Sequence, residues 1–283
     1  MAPKRVITGQ NTKLGRTIHG LVYDEKHDEI FVPNALADAI LVFRGGANGE
    51  EAPIRIIQGP HTRLVTPHSV SLDLDHDEIL VASLTGKRVN VFRRNASGDA
   101  PPLRVITGPK TKLSHLVGIA VDPVRNLMAV ADANDILIFN RTDNGDVAPR
   151  AQIAGPKTGI TDEPWQMQFY KGQIFVAASN HLHVNLYGGI KLKRTSKQVP
   201  DDPWLNPTLG FIGVWNITDD GDVAPRAMIG GPFSGLLHPV GLVLNPVDGE
   251  IYVSDSVRNG ILAFLVPDFF KHNDPDQKTA PSD

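Results

Sequence analysis

The chain carries RVITGQNTKL at 5–14, IRIIQGPHTRL at 54–64, LRVITGPKTKL at 103–113, RAQIAGPKTGI at 150–160 and RAMIGGPFSGL at 226–236. One phrase returning five times in 283 residues marks an array of like units, because stacked supersecondary units leave self-similarity at a fixed period. The equivalent arginines, Arg5, Arg55, Arg104, Arg150 and Arg226, are 50, 49, 46 and 76 residues apart. Working outward from the second copy, the first full unit reads HGLVYD (19–24), EIFVPN (29–34), AILVFR (39–44) and PIRIIQG (53–59). Each run is short, rich in Val, Ile, Leu and Phe, and bounded by turn residues, which is the signature of a strand. The second unit repeats it as HSVSLD, EILVAS, RVNVFR and PLRVITG, and the third as VGIAVD, LMAVAD, DILIFN and PRAQIAG. Four short strands in every 40–50 residues predict the blades of a β-propeller.

Inner strands begin near His19, His68, Val117, Trp165 and Val240, and the long fourth step is too short to hold a further blade. The last unit, GLVLN, EIYVSD and GILAFLV, lacks a fourth strand, while the chain opens on PKRVITG, a fourth strand without the other three. An open sheet edge exposes unpaired N–H and C=O groups, so the N-terminal strand is expected to close the last blade. The expected fold is therefore all-β: a single five-bladed β-propeller over residues 1–270, with four antiparallel strands per blade. Residues 3–10 form the outer strand of the last blade, 181–210 an insertion in blade 4, and 271–283 a disordered polar tail.

Composition fits one globular domain: 41% of residues are hydrophobic and 21% charged, ordinary values for a packed core. A formal net charge of −3 gives no basic footprint for nucleic acid, and no apolar run is long enough to span a membrane. With no Cys, disulfides, thiolate ligands and a cysteine nucleophile are excluded. The N-terminus lacks the apolar core of a signal peptide, which leaves a cytoplasmic protein, or a secreted or periplasmic one whose signal is missing, as the expectations. Oligomeric state is not legible.

HLVGIAVDPVRNLMAVADANDILIF (115–139) and HPVGLVLNPVDGEIYVSDSVRNGILAF (238–264) resemble NHL-type repeats and their propeller relatives. That resemblance implies a propeller and leaves function open, since such relatives include interaction scaffolds, lactonase-type propellers, peptidylamidoglycolate lyases and streptogramin lyases. The stretches PHSVSLD (67–73) and IHGLVYD (18–24) look like the PHGIA element of streptogramin lyases. This implies active-site roles for His68 and His19, one of them as a general base.

Inner strands line a propeller's channel, and their first residues stand at its entrance. Two residues before His19, His68, Val117, Trp165 and Val240 the series reads Thr17, Thr66, His115, Glu163 and His238, on the same face if the strand is extended. Four blades thus present His238, His19, His68 and His115, and blade 4 presents Trp165 and Glu163. Converging imidazoles suit Zn or Fe, with Cu or Ni as further choices; calcium wants oxygen ligands. The insertion after QIFVAAS adds His181 and His183 as possible ligands, and Tyr187 and Trp204 as aromatics that could cover a substrate. His27 and His76, in DEKHDEI and DLDHDEI, read as turn residues, and Asp132 and Asp255 as caps of the following loop, with Asn34 and Ser83 as counterparts able to make the same bond. GPKTK and GPHTR resemble phosphate loops but precede no helix.

The resulting expectation is a histidine-ligated, metal-dependent lyase or hydrolase acting on a small organic substrate at the channel mouth. Its catalytic residues are His19, His68 and Glu163, its substrate contacts Trp165, Tyr187 and Trp204, and its ligands come from His19, His68, His115, His238, His181 and His183. Two alternatives stay open: a non-enzymatic scaffold for a peptide or protein, and four-histidine iron oxygenase chemistry.

Overall fold

The apolar runs fold as the repeat predicts. The structure, a computed structural model, describes residues 3–16, 18–160, 164–179 and 210–271. It divides by internal contacts into two units, Met1–Gln152 and Ile153–Asp283.

The first unit holds three four-stranded meanders. Strands β1 (Val22–Asp24), β2 (Glu29–Asn34), β3 (Ala39–Arg44) and β4 (Arg55–Gln58) form the first sheet. The second is β5 (Pro67–Asp73), β6 (Glu78–Ser83), β7 (Arg88–Arg93) and β8 (Arg104–Ile106). The third is β9 (Leu116–Asp122), β10 (Leu127–Asp132), β11 (Asp135–Asn140) and β12 (Ala151–Ile153), which ends at the unit boundary. In the second unit, β13 (Pro164–Tyr170), β14 (Gln173–Ser179), β15 (Gly210–Asn216) and β16 (Ala227–Ile229) form the fourth sheet. The fifth has three described strands, β17 (Pro239–Asn245), β18 (Glu250–Asp255) and β19 (Gly260–Leu265). All pairings within the sheets are antiparallel, and five such blades make the fold a five-bladed β-propeller.

Central strands are apolar without alternation because both of their faces are covered. In β6 and β10 every residue is buried. Phe31, Ile40, Val42 and Ile57 of the first sheet pack on Val70, Ile79, Val81 and Phe92 of the second. The pattern repeats between the second and third, where Leu80, Val91 and Ile106 meet Ile119, Met128, Val130 and Phe139. Each fully buried Phe contributes about 1.5–3 kcal/mol. On the first sheet, Leu21, Tyr23, Ile30, Val32 and Phe43 line a cavity of about 810 Å³ together with Arg5, Ile7 and Leu14.

The repeated phrase is a splice between consecutive blades. Its glycine takes a φ of 137° at Gly59, 129° at Gly108 and 125° at Gly155, a region that side chains rarely enter. A 3-10 turn follows, whose buried threonine donates from Oγ1 to the glycine carbonyl at 2.6 Å for Thr62 and Thr111. The backbone N–H after the proline donates to a carboxylate of the next repeat: His61 to Asp99, Lys110 to Asp146 and Lys157 to Asp222, each at 2.7 Å. These N–H groups already hold a carboxylate, so the GPKT loops are turns rather than phosphate cradles. A second recurring motif, SGD at 97–99, NGD at 144–146 and DGD at 220–222, supplies that carboxylate and escaped the sequence reading. Its glycine makes a parallel bridge to the phrase, Ile57 with Gly98, Ile106 with Gly145 and Ile153 with Gly221.

The arginine of the phrase has its own partner. Arg55 grips Glu29 of β2 bidentately at 2.5 and 2.8 Å, and Arg94 of the second repeat adds a third bond at 2.8 Å. One repeat on, Arg104 and Arg141 hold Glu78 in the same way. The Arg55 bond and neighbouring guanidiniums hold the Glu29 carboxyl below the ordinary carboxylate range against the opposing effect of burial. At Glu78 burial pushes upward, and Arg104 and Arg141 outweigh it.

Residues 3–10 are not assigned as a strand; they make a single parallel bridge, Ile7 with Gly49. The first strand opens at Val22 rather than at His19. The insertion, up to the start of β15 at Gly210, and the tail after Lys271 lie outside the described residues. No described helix is long and apolar enough to cross a membrane.

Candidate functional site

In four inner strands the ladder slips at the same place. Registers run Pro67↔Ser83 then Ser69↔Ala82, Leu116↔Asp132 then Gly118↔Ala131, Pro164↔Ala178 then Met167↔Val176, and Pro239↔Asp255 then Gly241↔Ser254. The bulged positions are His68, Val117, Trp165 with Gln166, and Val240. These are the residues that repeat alignment sets at one level. A bulge breaks alternation and re-aims the side chain it carries, so period-two counting cannot say where these groups point.

In the first unit the bulge places His68 in a buried setting, at 4% exposure. Its Nδ1 lies 2.8 Å from the Val117 carbonyl oxygen on the next inner strand. A carbonyl only accepts, so Nδ1 carries the proton and the lone pair sits on Nε2. His19 stacks on this ring with centroids 4.2 Å apart and an interplanar angle of 25°. Burial lowers the His68 pKa to about 4; the His19 and His115 rings push the same way, and the Val117 carbonyl opposes them. Partial desolvation lowers His19 as well. Both rings are therefore neutral at physiological pH, the form that accepts a proton or ligates a metal.

His115 stands just before β9, half-buried. Asp132 fixes its backbone, accepting from His115 N and Ser114 N at 2.6 Å each, while the His115 carbonyl accepts from Ala133 N at 3.0 Å. Asp132 thus caps the segment that leads into β9, not the loop that follows it as the sequence suggested. The counterparts differ: Asn34 donates from Nδ2 to the Lys13 carbonyl, and the Ser83 hydroxyl donates to Asn90. Neither replaces the aspartate.

The second unit holds Trp165 and His238 edge-on, with centroids 5.7 Å apart. Trp165 Nε1 donates to Ser179 Oγ at 3.1 Å, and His238 Nδ1 lies 2.8 Å from Ser256 Oγ. Asp255 accepts from the N–H groups of Leu237, His238, Val257 and Arg258, a fuller cap than Asp132 makes. Gln166 and Gln168 accept from Leu242 N and Leu244 N and so tie β13 to β17, a role the sequence reading missed.

Among the expected site residues, the structure stacks His19 on His68 in the first unit, with His115 near enough to act on His68 electrostatically, and sets Trp165 against His238 in the second. Glu163, His181, His183, Tyr187 and Trp204 lie outside the described residues. Among the described residues, no group of three or more His, Asp or Glu is arranged to hold a metal ion as it stands. His27 and His76 bond Asp24 and Asp73 through Nδ1 at 2.7 and 2.9 Å. In the third blade Arg125 makes the equivalent bond to Asp122 at 3.1 Å, so the position serves the turn.

No protein-family model and no curated protein matches the chain. Among solved structures it is similar to a crystal structure of a nidogen/laminin complex, with a TM-score of 0.57 and 15% identity. The match covers 88% of this chain and 76% of that one. Likeness at this identity supports the propeller fold, and does not bear on which repeat family the chain resembles.

Proposed function

We propose that the inner-strand entrance of the first unit is an active site for a small organic substrate, with His19, His68 and His115 holding a transition-metal ion. The observation that carries this reading is the His68 Nδ1 bond to the Val117 carbonyl. A ligating histidine almost always donates its other ring nitrogen to such an acceptor, which fixes the tautomer and the ring. Neutral imidazole favours Zn or Fe, with Cu or Ni as further candidates. Because His19, His68 and His115 do not stand as a ready ligand set, the ion would draw the His115 side chain toward the stacked pair. When bound, it would supply Lewis acidity for a lyase or hydrolase reaction.

Plasma mass spectrometry on protein purified without a histidine tag tests this. About one transition-metal ion per chain is expected, lost in His19→Ala/His68→Ala and kept in the control His27→Ala/His76→Ala. Unchanged metal in the first double variant would remove the reading.

A second reading, a protein-binding propeller, draws on the likeness to a structure of a protein complex and on fully exposed Phe233 and Val247. Absence of metal from the wild-type protein would favour it.

A further inference from the structure

We infer that Thr66 is a strained positioning residue that holds His68 in its site orientation, an inference that rests on the histidine-site reading above. Thr66 has a φ of 48°. It is β-branched and precedes Pro67, and both features disfavour the left-handed region. Such strain persists only where the surroundings over-determine it, and three contacts do so. The Thr66 N–H donates to Asp38 Oδ1 at 2.7 Å, its carbonyl accepts from Leu84 N at 2.9 Å, and its hydroxyl lies 2.7 Å from that of Thr85.

Comparison with the other blades shows where the strain originates. His115 and His238 occupy the equivalent place, with carbonyls accepting from Ala133 N and Ser256 N. Their N–H groups are capped by Asp132 and Asp255 from their own sheets, and neither has a positive φ. The second sheet has Ser83 where those aspartates stand, and Ser83 turns to Asn90. The Thr66 N–H is left to reach across to Asp38 in the β2–β3 turn of the first sheet, and the backbone inverts to do so. The inversion comes immediately before the Pro67–Ser69 bulge that carries His68. His68 is thereby tied on one side to the first sheet, through Thr66 and Asp38, and on the other to the third, through Val117. A threonine there sacrifices stability that glycine would recover, in return for a fixed imidazole.

Protein labelled with ¹⁵N-histidine, studied by NMR at pH 7.5, reads this directly, with the His68 signals assigned by their loss in His68→Ala. The wild type should show the Nδ1-protonated tautomer of His68. Thr66→Gly should melt at or above the wild-type temperature, since glycine enters this φ freely, yet show a tautomer mixture; Thr66→Ser should keep the wild-type signals. Asp38→Ala, which removes the holder, should reproduce the mixture. Co²⁺ affinity, measured by visible absorption, should fall at least tenfold in Thr66→Gly, about 1.4 kcal/mol. Unchanged His68 signals in Thr66→Gly and Asp38→Ala, or a Thr66→Gly protein that melts several degrees lower, would overturn the inference. If the wild type itself takes up no Co²⁺, the metal reading falls, and the tautomer signals still decide the role of Thr66.

Discussion

At the scale of single residues, position in the repeat and chemical environment divide the work. That His68, Val117, Trp165 and Val240 hold equivalent places in their repeats was legible, because the alignment rests on whole phrases, and the ladder slips at each of them. The bond from His68 to Val117 was not, since it depends on a bulge that moves the side chain off the strand's alternation. The His68 pKa, lowered to about 4 by burial and by its histidine neighbours, has a consequence for stability. A base whose folded pKa is depressed contributes stability that is complete above its unfolded value of 6.5 and is lost as pH falls toward the folded value. Metal-free protein should lose about 3 kcal/mol between those limits through this group. Urea midpoints across that range should fall more steeply for the wild type than for His68→Ala; parallel curves would show that His68 is not buried as a neutral ring. Glycine offers a second contrast. A Cβ at Gly108, with φ 129°, would meet Asp146 at 2.5 Å, whereas Gly145, with φ 79°, has nothing within 4 Å. Gly108→Ala should cost about 2–4 kcal/mol and Gly145→Ala about 1 kcal/mol by thermal unfolding; equal costs would discount the splice.

At the scale of elements, strands were legible because apolar runs of six or seven residues between turn signals permit little else. What joins them was less so. Arg55 and Arg104 of the repeated phrase find their partners on β2 and β6, more than twenty residues earlier, and no local period reports such a pairing. Glu78, shielded with Arg104 and Arg141, illustrates the energetics. Breaking a buried pair leaves charge uncompensated, which generally costs about 3–5 kcal/mol. Glu78→Gln should therefore destabilise by about 3 kcal/mol at pH 7, read from urea unfolding. Because the Glu78 pKa lies below its ordinary 4.5, this contribution is present above that pH and lost as pH falls through the folded value. The gap between wild type and Glu78→Gln should close in acid, and a gap that persists there would point to packing instead. In the third sheet Leu127 stands at the glutamate's place and Arg150 donates to Asn140, and in the fourth Arg226 meets Gln173, so the charge pairing of the first two sheets is not repeated there, a change visible in the sequence as Leu127 and Gln173 in place of glutamate.

At the scale of the whole molecule, five blades follow from five phrases, and the open question is how the ends are satisfied. Ile7 bridges Gly49 just as Ile57 bridges Gly98 and Ile106 bridges Gly145. Since Ile57 and Ile106 lie on fourth strands, residues 5–8 behave toward the first sheet as the outer strand of a blade before it. The fifth sheet has three described strands, and its last, β19, leaves Ile261 and Leu265 exposed. We propose that residues 3–10 complete it. Deleting them should cost several kcal/mol, on the order of 3, through lost pairing and burial, and a truncated protein melting within a degree or two of the full chain would exclude the latch. Function stays harder to read than fold because one propeller frame serves many chemistries; here it depends on whether His19, His68 and His115 hold a metal ion. Anomalous diffraction from crystals of untagged protein grown with Zn²⁺ tests this most directly. The expected result is a single strong peak about 2.0–2.1 Å from His68 Nε2, with His19 and His115 as further ligands; peaks confined to His27, His76 or other surface histidines would contradict it.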